Sequence, residues 1–309
     1  MRQFPWLSTP GVLLFIAAAA LALFLLVTPE RSELLRASGG GGGGGSKSGG
    51  SGGEEEAALH AEVARLRAAL DSCPGAASSE VAALRADVAR LRSALGTLSC
   101  ECKNVGPTGG FCLQPGDGAD GVGVGGNALI NAELARELGK LFDGASVADF
   151  GAGMGQYEAW WDGARARGEP APASVRACDG AENIEAVGPR TAAGAPVVAF
   201  CDLSQPVHAE PADWVLSLEV GEHIPTQFEA AFVGNLMRHA RKGAVISWAV
   251  PGQPGHFHVN LKDKAAVLSL FGAAWALDEE LTAKLRTVGG ALTTPWFADT
   301  IYALRRVSE

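Results

Sequence analysis

From Asn127 onward, short apolar runs alternate with segments whose apolar residues recur at helical spacing. The runs "SVADF", "SVRACD", "VVAFCD", "DWVLSLE", "GAVISWAV" and "TIYALRRV" suit buried strands: they are short, rich in branched and aromatic residues, and closed by polar or turn residues. Between them, "NAELARELGKLF", "YEAWWDGARARG", "FEAAFVGNLMRHARKG", "DKAAVLSLFGAAW" and "DEELTAKLRTV" suit helices. Apolar strands alternating with amphipathic helices predict a largely parallel sheet covered on both faces. The expected architecture of residues 127–309 is therefore α/β, a doubly wound, largely parallel sheet.

Upstream the pattern changes three times. Leu7 to Val27 carries no charge, and about 20 such residues are enough to cross a bilayer. A transmembrane signal anchor over 7–28 is expected, with a cytosolic tail of residues 1–6. Arg2 and the free amine lie on one side and the charges after Val27 roughly cancel, so the positive-inside tendency places the rest of the chain in a lumen. This is a single-pass type II arrangement facing the Golgi or endoplasmic reticulum lumen. A cleaved signal peptide and a secreted protein are the alternative, although no small-x-small cleavage site follows the run cleanly. Residues 29–53 are a Gly/Ser-rich linker that cannot bury a core. Over 54–98, Leu59, Val63, Leu66 and Leu70, then Val81, Leu84, Val88, Leu91 and Leu95, recur at three and four, two short coiled-coil seams around Cys73-Pro74-Gly75. They fit a stalk that joins two copies, a helical hairpin within one chain, or a solvated spacer. Residues 99–126 read as an irregular Cys/Gly-rich connector.

Charge and cysteines narrow the setting. Residues 101–309 carry a net charge of −9, which argues against a nucleic-acid partner. Of six cysteines, Cys73, Cys100, Cys102 and Cys112 cluster before the main domain, where an oxidising lumen would allow disulfides. Cys178 and Cys201 fall at strand ends and read as small buried hydrophobes.

The stretch "VADFGAGMGQY" is a strand, a tight turn with Gly151, Gly153 and Gly155, and a helix start. Such a turn can hold a dinucleotide pyrophosphate or another nucleoside cofactor. The dinucleotide fingerprint calls for Gly or Ala where this chain has Gln156, and an anion such as Asp149 repels a pyrophosphate. A cofactor with an ammonium and a sulfonium and no phosphate suits Asp149 better. Asp179, Asp202 and Glu219 close three further strands, at the edge where ligands bind in such sheets. The bland alternative for each lone acid is a turn or cap.

Together "DFGAGMGQY", "ACDGAENI", "FCDLSQPV" and "DWVLSLEVGEHIP" resemble the successive motifs of class I S-adenosylmethionine-dependent methyltransferases, which implies a Rossmann-like, seven-stranded sheet. The resemblance covers about residues 127–309. It implies S-adenosyl-L-methionine as cofactor, with Asp149 and the three glycines along its methionine part, Asp179 and Gly180 at the ribose, Asp202 and Leu203 at the adenine, and Glu219 beside them. Glu219, Glu222 and His223 have the ExxEH spacing, and His256 and His258 follow the next strand. This is similar to metal-assisted O-methyltransferases of ubiquinone biosynthesis and small-RNA methylation, and implies a divalent ion (Mg or Mn) on Glu219, Glu222 and His223. Glu222, His223, His256 and His258 are the candidate catalytic residues. His223 or His258 as a metal-free general base, or histidines that only bond the fold, remain open. Trp160, Trp161, Trp248 and Trp275 are read as core, with an acceptor pocket as the rival use. The expected acceptor is a hydroxylated glycan, lipid or small molecule. Two rivals stay open: an inactive, membrane-tethered scaffold and an NAD(P)-dependent oxidoreductase.

Overall fold

The six short apolar runs from Asn127 onward enter one sheet, and the sheet is buried on both faces. In the computed structural model, residues 59, 61–63, 65, 66, 79–102, 106, 108–111, 130–290 and 293–307 are described, all within the compact unit Gly52–Glu309. The anchor, the cytosolic tail, the Gly/Ser linker, Cys73, Cys112 and most of the 99–126 connector lie outside them. Among the described residues no helix is long and apolar enough to cross a membrane.

Strands β1 (Ser146–Phe150), β2 (Ser174–Asp179), β3 (Val198–Phe200), β4 (Ala212–Ser217), β5 (Ala240–Ser247), β6 (Trp275–Leu277) and β7 (Ile301–Arg306) run in the order β3-β2-β1-β4-β5-β7-β6. The first five are mutually parallel, and β7 is antiparallel to both β5 and β6. Helices α1 (Ser79–Cys102), α2 (Ala132–Leu141), α3 (Gln156–Ala166), α4 (Ile184–Val187), α5 (Glu229–His239), α6 (Lys264–Phe271), α7 (Glu279–Gly289) and α8 (Phe297–Thr300) complete the chain. Side chains alternate across the sheet. Ala148, Val215 and Ile246 join Phe232 and Leu236 of α5 and Val267 of α6 on one face. Val147, Leu216 and Val245 join Leu138 of α2, Trp161 of α3 and Leu285 of α7 on the other. Two covered faces explain why the strands read as continuous apolar runs. The helices start where side chains cap them: Asn131, Asp263 and Asp278 accept from the amides of Leu134, Ala266 and Leu281, each worth about 1 kcal/mol.

Four expectations need correction. The helix read into "ARKG" stops at His239, and Ala240 to Gly243 already belong to β5. Ala240 is fully buried opposite Ala212, while Arg241 and Lys242 reach solvent, so sheet pairing overrides the helical pattern. The helix read through "GAAW" ends at Phe271, because Gly272 turns with φ +64°, and Trp275–Leu277 forms β6. That three-residue strand is too short to show a period.

The stalk reading also changes. In α1, Val88, Leu91 and Leu95 are buried, and Arg92 pairs with Glu182 and Glu185 at 3.1 Å each while lying 3.6 Å over the Phe200 ring. A Cβ on Gly96 would meet Asn183 at 2.7 Å. The helix is therefore packed on the α/β domain and is no solvated spacer.

Finally, Cys178 and Cys201 form a disulfide, Cα to Cα 5.5 Å. They are not independent hydrophobes. Adjacent pairing of β2 with β3, with Asp179 opposite Phe200, brings the two strand ends together, and that adjacency cannot be read locally.

Candidate active site

Strand order reverses between β1 and β4, which opens a crevice beyond their C-terminal ends. The glycine turn fills one side of it. Gly151, Gly153 and Gly155 have φ of +85°, +55° and +77°, in the left-handed region that favours glycine. The amides of Gly151 and Ala152 donate to the Cys178 carbonyl at 2.8 and 3.0 Å, and any Cβ on Gly151 would strike Val220. Gly155 caps α3 and lies just behind the crevice wall.

Asp179 ties this turn to the next. One oxygen accepts from the Gly153 amide and the other from the Ala181 amide, both at 2.8 Å. Burial raises its pKa while these backbone donors pull it down. At the end of β3, Asp202 accepts from the amide and hydroxyl of Ser204, at 3.0 and 2.6 Å, beside buried Leu203.

These residues share a cavity of about 500 Å³. Asp149, Gly151, Gly153, Asp179, Gly180, Asp202 and Leu203 line one half. Glu219, His223, His256 and His258 line the other. No Lys or Arg is among the described residues around it.

Asp149 and Glu158 face each other in the interior, and both pKa values are raised. For Asp149 the cause is burial, followed by the charge of Glu158; for Glu158 it is burial. The charged form of each carboxyl is therefore disfavoured in this setting. Tyr157, raised mainly by burial and then by Asp149, stays a neutral phenol.

At the other end, Glu219 leaves β4 with φ +57°, a costly conformation for a non-glycine residue. Ser247 holds it there: its hydroxyl accepts from the Glu219 amide and donates to Oε1, each at 2.6 Å. Burial pushes the Glu219 carboxyl up to about 7. A 3₁₀ turn, Gly221–His223, follows. Glu222 is fully buried, neither carboxylate oxygen has a hydrogen-bond partner, and burial with the Glu219 charge raises its pKa well above the usual range. Its backbone carbonyl accepts from the amides of Val259 and Asn260, at 2.9 and 3.0 Å, which draws the "HFHVN" loop onto the "EVGEH" turn.

The loop delivers His258. His223 Nδ1 lies 3.2 Å from the Phe257 carbonyl and His258 Nδ1 lies 3.3 Å from the Gln253 carbonyl. A carbonyl partner places the proton on Nδ1 and leaves Nε2 a lone pair. Burial pushes the His223 pKa down to about 4, so its ring is neutral at pH 7. One ligand atom each from Glu222, His223 and His258 lies within 4.8 Å of the others.

This group corrects the metal set of Glu219, Glu222 and His223. The ExxEH spacing brings all three together only in one α-helical turn, whereas the 3₁₀ turn begins at Gly221 and Glu219 is held aside by Ser247. His258 takes its place. His256 lines the cavity without joining the group. Trp161, Trp248 and Trp275 are buried and Trp160 packs against the core, as the core reading had it.

The aromatic lining is instead Phe111, Tyr157, Trp296 and Phe297. Phe111 stands edge-on to His223, 4.6 Å between ring centroids, and 6.0 Å from His256. Residues 108–111 had been read as connector. The only local signal was a glycine pair followed by an aromatic residue in "TGGF".

No family model matches the chain, and no curated protein does. Similar solved structures include magnesium protoporphyrin IX methyltransferase from Synechocystis PCC 6803 with bound SAM, at 19% identity over 57% of this chain and 79% of that one, TM-score 0.40. They also include the glycopeptide N-methyltransferase MtfA complexed with SAM, at 13% identity over 59% of this chain and 89% of that one, TM-score 0.40. A third is the [4+2]-cyclase SpnF, at 12% identity over 57% and 81%, TM-score 0.38.

Proposed function

We propose that this chain is an S-adenosylmethionine-dependent methyltransferase, tethered to a membrane by its N-terminal segment, that methylates a hydroxyl of a glycan, lipid or small molecule. One observation carries the reading: a single cavity joins the glycine turn and its strand-end acids to a histidine cluster, with no Lys or Arg among the described lining. A pyrophosphate would meet Asp149, Asp179 and Asp202 with no counter-charge, whereas a cationic sulfonium and ammonium are attracted by them. The same lining disfavours phosphate-bearing acceptors, nucleic acids among them.

In this reading Asp179, oriented by the amides of Gly153 and Ala181, accepts from the ribose hydroxyls. Asp202 and Leu203 take the edge and face of the adenine. The acceptor oxygen attacks the donor methyl in line, the carbon–sulfur bond breaks, and the hydroxyl proton passes to the lone pair of a neutral His223. Phe111, Trp296 and the histidines shape the acceptor end.

A second form of this chemistry is favoured by the orphaned oxygens of Glu222. Glu222, His223 and His258 would hold a divalent ion such as Mg or Mn, which supplies a lowered pKa for a bound hydroxyl. In that form His256, which lines the cavity outside the group, is left to take the hydroxyl proton. Turnover insensitive to a chelator, with no divalent ion retained by the protein, would end it.

The uncharged run from Leu7 to Val27 supports the anchor, and the Cys178–Cys201 disulfide supports an oxidising lumen. Calorimetric titration of the full chain with S-adenosylmethionine, S-adenosylhomocysteine and NADH tests the cofactor. Binding of the first two alone is expected. Binding of NADH would favour an oxidoreductase, and a folded chain that binds none of the three would favour a scaffold.

A further inference from the structure

The segment before the α/β domain reaches further into the site than a spacer would. Helix α1 is pinned by Arg92, 8% exposed, to Glu182 and Glu185, both just beyond the Asp179–Gly180 turn. Its guanidinium also covers Phe200, at the end of β3 that leads to Asp202. Further along the chain, residues 108–111 cross the wall of the cavity. Gly110 lies so near the Gly180 carbonyl that a Cβ would collide with it, and Gly109, with φ +94°, lies as near the His223 carbonyl. Thr108 to Phe111 line the main cavity, and the gap left between this crossing, Gly96, Gly180 and Glu182 holds only about 10 Å³, room for about one water.

We propose that α1, Gly106 and residues 108–111 form a clamp that completes the methyl-donor chamber, with Arg92 and Gly110 as its positioning residues. The proposal rests on the methyl-donor reading above. Two contacts of the clamp fall on the donor side, Arg92 beside the turn that carries Asp179 and Gly110 on the carbonyl of Gly180, while Gly109 and Phe111 meet His223 at the other end. The crossing can lie this close only because two glycines present bare backbone to two carbonyls. Donor affinity then depends on residues that contribute nothing to the sheet.

The test uses the full chain and S-adenosylhomocysteine, with Kd and dissociation rate measured for wild type, Arg92→Met, Arg92→Lys and Gly110→Ala, alongside thermal melting. Arg92→Met and Gly110→Ala are expected to raise Kd about tenfold, the scale of one lost charge-assisted contact, mainly through faster dissociation. The melting of the α/β domain should stay near wild type, and Arg92→Lys should restore part of the affinity. Hydrogen exchange at Gly106 and residues 108–111 should slow when the ligand binds. Wild-type affinity in Gly110→Ala, whatever Arg92→Met does, overturns the clamp while leaving the donor site standing. Failure of the wild type itself to bind overturns the donor reading and the clamp with it.

Discussion

At the residue scale, Asp179 has two tasks. Each oxygen already accepts one backbone amide, and each keeps a second lone pair for a ligand. Asp179→Ala is therefore expected to raise the Kd for S-adenosylhomocysteine more than about tenfold and to cost about 1–3 kcal/mol of stability, because two amides lose their acceptor. Calorimetry beside thermal melting separates the two effects; unchanged affinity in a folded variant would remove Asp179 from the site. Asp149 predicts a pH dependence. Its pKa is raised by burial and by Glu158, and a cationic donor favours its ionised form, so binding releases a proton and affinity climbs with pH until the pair is ionised. Titrations in buffers of different ionisation enthalpy would show that release, and Glu158→Gln should lessen it. For the empty fold the sign is opposite. A raised carboxyl pKa gives stability that is full below the ordinary carboxylate value and lost as pH rises through the folded one.

Elements decide how these residues meet. The Cys178–Cys201 bond joins the ends of β2 and β3, one residue from Asp179 and one from Asp202. With a sequence separation of 23, chain entropy alone puts its contribution near about 3 kcal/mol. Cys178→Ser with Cys201→Ser, or reduction of the wild type, is expected to lower the melting temperature and to weaken donor binding by loosening the two acids. A melting curve and a Kd unmoved by reductant would refute that coupling. Helix and strand identity was legible where a pattern ran five residues or more, as in "SVADF" and "SVRACD". It failed at β6, only three residues long, and at "ARKG", where pairing with β4 overrode a helical pattern.

Over the whole molecule, the proposed tether through the apolar N-terminal run makes a prediction about sidedness. In sealed microsomes residues 127–309 should resist protease until detergent is added. Digestion without detergent would place the domain on the cytosolic side and would leave the disulfide without its oxidising compartment.

The amino-acid sequence alone determined the α/β alternation, the glycine turn and the acids at the strand ends. These are local: a strand-turn-helix with its terminal acid lies within about a dozen residues, and burial on two faces writes itself as an apolar run. Tertiary structure alone decided the rest. Glu222 and His258 meet because the Glu222 carbonyl accepts the amides of Val259 and Asn260 across the intervening helix α5 and strand β5. Phe111 reaches His223 and Arg92 reaches Glu182 across longer stretches, and Cys178 reaches Cys201 across a separation of 23. Such contacts depend on which strands become neighbours and on how closely bare glycine backbone can approach. Neither leaves a period in the chain.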